Sequence, residues 1–241
     1  MLFKNAIQYL TAQELPDLQQ RKFRNPTPKE LSFTGFAPVE DDLYVVNGLF
    51  CLRHAEKIIP ASAVKYRVEQ LAAGRKVSKD ELNAMKESVI REAAVHALVK
   101  VTDTYAYLGG GKLIINTASH NTAERVLSHL RALSGTFEVE KMPELDVGEQ
   151  YSKEAFEIGD KATYTSREDE RIVYTGHGAQ YMQRNMLSAE KATFVFEDTA
   201  FAVNKQFVLS RIKTTVKPED LRTDIALSIG VINEITAELQ K

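Results

Sequence analysis

The spacing of apolar residues changes twice along this chain, and the change limits its fold more than any other feature. Up to residue 59, and again from Val101 onward, apolar residues form the short runs that are typical of strands. Between residues 60 and 100 they recur every three or four positions, as in amphipathic helices. A run of strands, a pair of helices and a second run of strands predict an α+β fold with antiparallel sheets.

Two glycine-containing segments predict hairpin turns. Asn47-Gly48 divides the apolar residues of 42–52, and this dipeptide is favoured in two-residue hairpin turns. Gly109-Gly110-Gly111 joins strands predicted over 102–108 and 112–117. Both segments therefore predict strands that pair with a neighbour in the chain.

The middle of the chain predicts a pair of helices. The first follows Pro60, whose missing N–H is tolerated in the first turn of a helix, and Gly74 is its expected end. The second begins with Ser78 and Glu81 in capping-box spacing and is expected to extend to about residue 100. It would be roughly 33 Å long at 1.5 Å per residue. We therefore expect a projecting helical hairpin.

The remainder of the chain predicts two more helices and several strands. A helix is expected over residues 122–133, ended by Gly135, with a short strand over 137–139. Alternating stretches between residues 151 and 217 predict further strands, and an apolar stripe predicts a helix over 218–240.

Charge is unevenly distributed along the sequence. The chain has 31 Lys and Arg and 33 Asp and Glu, and this net charge of −2 by itself argues against a DNA-binding protein. Residues 1–137 nevertheless hold 18 basic and 14 acidic residues, whereas residues 138–241 hold 13 and 19. A basic face on an otherwise acidic protein can bind phosphate, and a solvated helix face is the alternative interpretation.

Residue types that serve enzymes and metal sites do not form a recognisable pattern. Cys51, the single cysteine, lies in an apolar run, and the five histidines lack zinc spacing. The triple glycine is not a Walker A loop, because Ala106 and Leu113 occupy its Gly and Ser/Thr positions. The Asp/Glu-x-Lys element of restriction-type nucleases does not occur. We therefore expect no enzymatic activity, no cofactor and no metal.

The sequence also predicts no export and no membrane partner. No apolar run approaches the roughly 20 residues that a membrane span needs. The first ten residues, MLFKNAIQYL, lack the apolar region and the cleavage site of a secretion signal. A cytoplasmic location is therefore expected.

Several segments resemble the RdgC family of recombination-associated proteins, in the order and spacing of that family. They cover most of the chain and are residues 1–5 (MLFKN), 55–60 (AEKIIP), 113–119 (LIINTAS), 123–135 (AERVLSHLRALSG) and 207–213 (FVLSRIK).

The resemblance implies a protomer with three lobes, called base, centre and tip. Residues 1–59 and 101–150 would form the central α+β lobe, residues 60–100 the helical tip, and residues 151–241 the base lobe with the last helix. Two protomers would meet at base and tip, so that a ring with a basic inner rim encloses double-stranded DNA. The implied function is DNA binding without sequence preference, restraint of RecA-type strand exchange, and association with the nucleoid.

The resemblance and the basic composition together nominate two sets of residues. The expected DNA contacts are Lys57, Lys65, Arg67, Arg75, Lys76, Lys79, Lys86 and His96. The expected homodimer contact is made by Val95, Leu98 and Val99. The family has an aromatic residue in place of Leu98 and often a basic one in place of His96, and a helix expected after about Gln183 is missing.

Two other classes of protein stay open at the level of sequence. One is a protein-interaction module that inhibits a recombinase directly and uses the helical hairpin to dock. The other, with less support, is a DNA exonuclease. Retention on DNA that falls steeply with salt favours the DNA-binding protein, and loss of DNA ends that depends on Mg²⁺ favours the nuclease.

Overall fold

The computed structural model describes residues 1–165, 171–175 and 188–241. The chain divides into two compact units. The larger unit comprises Met1–Asp17, Pro38–Phe50 and Thr104–Lys241, and the smaller unit comprises Leu18–Ala37 and Cys51–Asp103.

The described residues contain eleven strands and four α-helices. The strands are β1 (Asn5–Leu10), β2 (Ser32–Ala37), β3 (Leu49–Ile58), β4 (Leu98–Gly109), β5 (Lys112–Ile115), β6 (Glu140–Lys141), β7 (Glu157–Thr165), β8 (Arg171–Thr175), β9 (Ser188–Phe196), β10 (Thr199–Asn204) and β11 (Leu209–Thr214). The helices are α1 (Ala61–Ala72), α2 (Lys79–His96), α3 (His120–Ser134) and α4 (Leu221–Gln240). The predicted α+β class with a large antiparallel sheet is confirmed.

The larger unit is built around β1. The strand order is β4-β5-β1-β11-β10-β9-β7-β8, and β6 also pairs with β1. The register places Ile7 opposite Ile115 and Ala6 opposite Leu209, both antiparallel. All four inner residues of β1 are buried, as expected for a central strand with both faces covered.

Helix α4 supplies one side of the core of the larger unit. Its apolar stripe of Ile225, Ile229, Ile232, Ile235 and Leu239 belongs to the same buried cluster as several aromatic residues of the sheet. A buried polar contact accompanies it, in which Gln8 Nε2 donates to Thr236 Oγ1 at 2.8 Å. This bond satisfies groups that would be costly to bury unpaired.

The smaller unit combines strands β2, β3 and β4, in that order, with helices α1 and α2. Strands β2 and β3 are antiparallel, with Thr34 opposite His54. The two helices pack through Val64, Val68 and Val89. These three valines are among the few buried side chains of the helices, so most of the helical surface is exposed.

Both predicted turns are confirmed by backbone angles, but the strand predicted before Asn47 was wrong: Leu43 and Val46 form only isolated bridges, and β3 pairs with β2 instead. Asn47 and Gly48 have φ of 48° and 80°, and Gly110 and Gly111 have φ of 59° and 74°. Positive φ at both central residues is characteristic of the type I′ turn, one of the two favoured two-residue hairpin turns. The helix ends predicted at Gly74 and Gly135 also have positive φ there, 82° and 77°.

Two predicted boundaries were wrong. The second helix ends at His96 rather than near residue 100, because Ala97 is already extended and Leu98 begins β4. The β-branched residues that follow favour a strand, and pairing within a sheet overrides the helical spacing. The short strand predicted over 137–139 lies instead at Glu140–Lys141.

Two features noted in the sequence lie outside the described residues. They are the position after Gln183 where a helix was judged missing, and His177, one of the five histidines.

Candidate nucleic-acid interface

The helical hairpin of α1 and α2 carries most of the predicted DNA contacts. Its second helix begins with a complete capping box, in which Glu81 N donates to Ser78 Oγ at 3.2 Å and Ser78 N donates to Glu81 Oε2 at 2.8 Å. The hydrogen bond from the Ser78 backbone N–H to the Glu81 carboxylate is the main cause that lowers the pKa of Glu81, so the cap persists at neutral pH. The predicted capping box is confirmed.

The six Lys and Arg side chains predicted as DNA contacts on the hairpin are all exposed. They are Lys65, Arg67, Arg75, Lys76, Lys79 and Lys86. Lys65 lies 3.9 Å from Glu69, a surface ion pair of the kind that contributes little to stability. Lys76, Lys79 and Lys86 form no ion pair with any described residue. These ammonium groups are therefore free to meet a phosphate.

The remaining two predicted contacts are placed differently. His96 is exposed as the last residue of α2. Lys57 is only partly exposed, and its Nζ donates to the backbone oxygens of Thr27 and Pro28 at 2.8 and 3.0 Å. An ammonium has three N–H donors, so two of those on Lys57 are committed to this loop.

Residues 21–30, the basic arm, were missed by the sequence analysis. The arm runs against β2, where Phe23 N donates to Phe36 O at 2.7 Å. A Cβ on Gly35 would lie 2.8 Å from Arg21 O and 2.9 Å from the Phe23 Cα, so glycine permits this approach. The sequence signal was the mixture of basic and aromatic residues in RKFRNPTPKE, which sequence-independent nucleic-acid surfaces often share.

Arg24 stabilises the basic arm through an ion pair and a contact with an aromatic ring. Arg24 donates to both carboxylate oxygens of Glu30, at 2.6 and 2.7 Å. Its guanidinium also lies 3.9 Å from the centre of the Phe33 ring. The hydrogen bonds from Arg24 lower the pKa of Glu30 to about 2, so this pair stays charged across the physiological range.

Charge is segregated between the two units. The smaller unit carries 14 Lys and Arg and 8 Asp and Glu, a balance of +6. The larger unit carries 17 and 25, a balance of −8, and the two together give the net −2 of the chain. The smaller unit alone therefore has the positive potential that attracts a polyanion.

The end of α2 and the start of β4 expose apolar side chains. Leu98 is 79% exposed, and Val95 and Val99 are exposed with it. A groove of about 320 Å³ lies in the same unit and is lined mainly by apolar residues of the two helices and their ends, among them Pro60, Ala63, Val64, Val89, Ala93 and Ala97. An exposed leucine beside an apolar groove is characteristic of a contact surface.

The described residues contain no cluster of candidate metal ligands and no membrane-spanning helix. No group of three or more His, Cys, Asp and Glu side chains comes together within them. None of the helices in that part of the chain combines the length and the apolar content needed to cross a bilayer.

Comparison of the sequence with known protein families identifies the family of this chain. Residues 1–225 match the family model described as "Putative exonuclease, RdgC". The chain belongs to the RdgC family.

Curated relatives carry the name recombination-associated protein RdgC. The protein of Pseudomonas fluorescens strain Pf0-1 is 35% identical over 163 residues, which is 58% of this chain and 53% of the relative. That of Psychromonas ingrahamii is 24% identical over 202 residues, covering 73% of this chain and 67% of the relative. That of Colwellia psychrerythraea is 34% identical over 104 residues, covering 40% and 34%. The chain thus spans about half the length of the Pseudomonas relative and about a third of the length of the Colwellia relative.

Proposed function

We propose that this chain is a DNA-binding protein that contacts double-stranded DNA without sequence preference and modulates homologous recombination. The observation that carries the proposal is the segregation of charge, with +6 on the smaller unit and −8 on the larger. The name of the curated relatives, recombination-associated protein, agrees with such a role.

The exposed lysines of the hairpin explain how binding would work. A cation that neutralises a DNA phosphate releases condensed counterions, and this gain is independent of base sequence. Lys76, Lys79 and Lys86 suit that role because they have no ion pair with a described residue to break. Phosphate contacts orient a protein on the duplex without reading bases, so no recognition helix is needed.

We further propose that two copies associate through the apolar end of the hairpin. In an isologous contact each copy would insert Leu98 into the groove of the other, with Val95 and Val99 at the margin. The proposal includes the base, centre and tip lobes with the boundaries given above. A second contact at the base would close the two protomers into a ring around duplex DNA. The ring would antagonise a RecA-type recombinase. A ring would add topological retention to the electrostatic attraction.

The test is an electrophoretic shift assay on linear and covalently closed circular duplex across a salt series. Affinity should fall steeply with salt and be similar on AT-rich and GC-rich DNA, because no base edge is read. Complexes on circles should dissociate more slowly than those on short linear duplex. Salt-insensitive binding, or a strong sequence preference, would contradict the proposal.

The family description keeps nuclease activity as the second candidate function. We expect purified protein to release no nucleotides from end-labelled linear duplex in Mg²⁺ or Mn²⁺, because the sequence lacks the Asp/Glu-x-Lys element. Chromatography of the labelled products, with a commercial exonuclease as positive control, measures this. Release that scales with protein amount and survives repurification would establish the nuclease instead.

A further inference from the structure

We propose that the basic arm is a second phosphate-binding element, in which Lys22 and Lys29 contact the phosphodiester backbone and Lys57 is a positioning residue. The inference rests on the proposed DNA-binding function and adds a surface to it. It also changes the expected role of Lys57, from a phosphate contact to a group that holds the arm.

The arm concentrates positive charge in few residues. Residues 21–30 contain four Lys and Arg and a single acidic residue, Glu30. Arg24 donates two hydrogen bonds to the carboxylate of Glu30, so the two charges of this pair neutralise each other. Lys22 and Lys29 are exposed and form no ion pair within the described part of the chain. They are therefore the arm's available cations.

Internal hydrogen bonds order the arm before any ligand arrives. Glu30 accepts a bond from Thr27 N at 2.8 Å besides those from Arg24. Pro26 and Pro28 restrict the backbone between the two lysines, because a proline ring fixes φ. A pre-ordered loop loses less conformational entropy when it binds, so its cations act more effectively than those of a flexible tail.

Lys57 links the arm to the sheet. It lies on β3, and its ammonium group donates to Thr27 O and Pro28 O. These two carbonyl groups directly precede Lys29 in the sequence. Its backbone N also donates to Leu31 O at 2.8 Å, just beyond the arm. Losing the ammonium would leave two carbonyl oxygens without their partner and would free the loop. The position of Lys29 therefore depends on Lys57.

The test combines DNA binding with proteolysis of the full-length chain. Fluorescence anisotropy on a labelled 30-base-pair duplex should give a slope of log K against log salt that is flatter by about 1.8 in Lys22→Ala/Lys29→Ala, at about 0.9 per contact. This corresponds to roughly fiftyfold weaker binding near 0.1 M salt. The matched control is Lys213→Ala/Lys217→Ala, which removes two exposed lysines of the larger unit and should keep the parental slope.

Lys57→Met tests the positioning role without DNA. The variant keeps the apolar stem of the side chain, so β3 should stay folded. Trypsin should cleave after Arg24 or Lys29 about ten times faster than in the parent, as measured by mass spectrometry of timed digests. An unchanged cleavage rate would overturn the positioning role. A parental salt slope in Lys22→Ala/Lys29→Ala would overturn the phosphate contacts while leaving the proposed function intact. Failure of the unmodified protein to bind duplex would overturn both.

Discussion

Replacing Lys76, Lys79 and Lys86 together with alanine should weaken duplex binding by roughly two to three orders of magnitude near 0.1 M salt. Each lost phosphate contact flattens the slope of log K against log salt by about 0.9, so three contacts remove about 2.7 per protomer. The side chains are exposed, and alanine has the highest helix propensity. Helix α2 and the unfolding temperature should therefore be unaffected.

A matched triple variant separates a local surface from overall charge. Lys4→Ala/Lys213→Ala/Lys217→Ala removes the same charge from exposed positions of the larger unit. Anisotropy titrations at four or more salt concentrations should give a parental slope for this control. AT-rich and GC-rich duplex should respond equally to the hairpin variant. Equal slopes for the two triple variants would mean that the hairpin is a solvated surface, and the interaction-module alternative would then be preferred.

Leu98→Asp should weaken the proposed homodimer by roughly a hundredfold or more. Full burial of a leucine contributes about 1.5–3 kcal/mol, and a two-fold contact loses it twice. A carboxylate placed in the apolar groove adds a desolvation cost. Sedimentation equilibrium gives the dimer constant, and retention on circular duplex gives the functional consequence. Stability of the protomer should change by less than about 0.5 kcal/mol, since the side chain is 79% exposed.

Two further variants sharpen this experiment. Leu43→Asp places the same charge on an exposed leucine of the larger unit and should leave association unchanged. Leu98→Phe introduces the aromatic residue that the resemblance implies at this position and should tighten the proposed dimer, because it buries more apolar area. If Leu98→Asp sediments like the parent and is retained on circles equally well, the apolar end of the hairpin is not the contact.

Features set by a few neighbouring residues were predictable from the sequence. The turns at Asn47-Gly48 and Gly110-Gly111 need positive φ, and Asn and Gly are the residue types that adopt positive φ most readily. The capping box at Ser78 and Glu81 is equally local.

Features that depend on distant partners were not predictable in the same way. Residues 98–100 continue a helical spacing, yet they belong to β4, which lies beside β3 in the sheet. The extent of α2 was therefore overestimated.

The candidate site shows the same division. The exposed lysines of the hairpin follow from helical spacing, since they lie off the buried stripe of Val64, Val68 and Val89. The basic arm has no periodic pattern, and its prolines, Pro26 and Pro28, are typical of any irregular connection. Part of its order comes from the contact with Lys57, about thirty residues away in sequence. No spacing rule connects those positions.

The pairing of β1 has a consequence for how the chain acquires its structure during synthesis. Strand β1 is made first, but its neighbours β5 and β11 follow much later, so closing those pairs carries a large loop entropy. The pairing of β2 with β3 and the packing of α1 on α2 join segments close in sequence. On the ribosome the smaller unit should therefore fold early, whereas β1 lacks its first partner until β5 emerges and its second until β11 emerges.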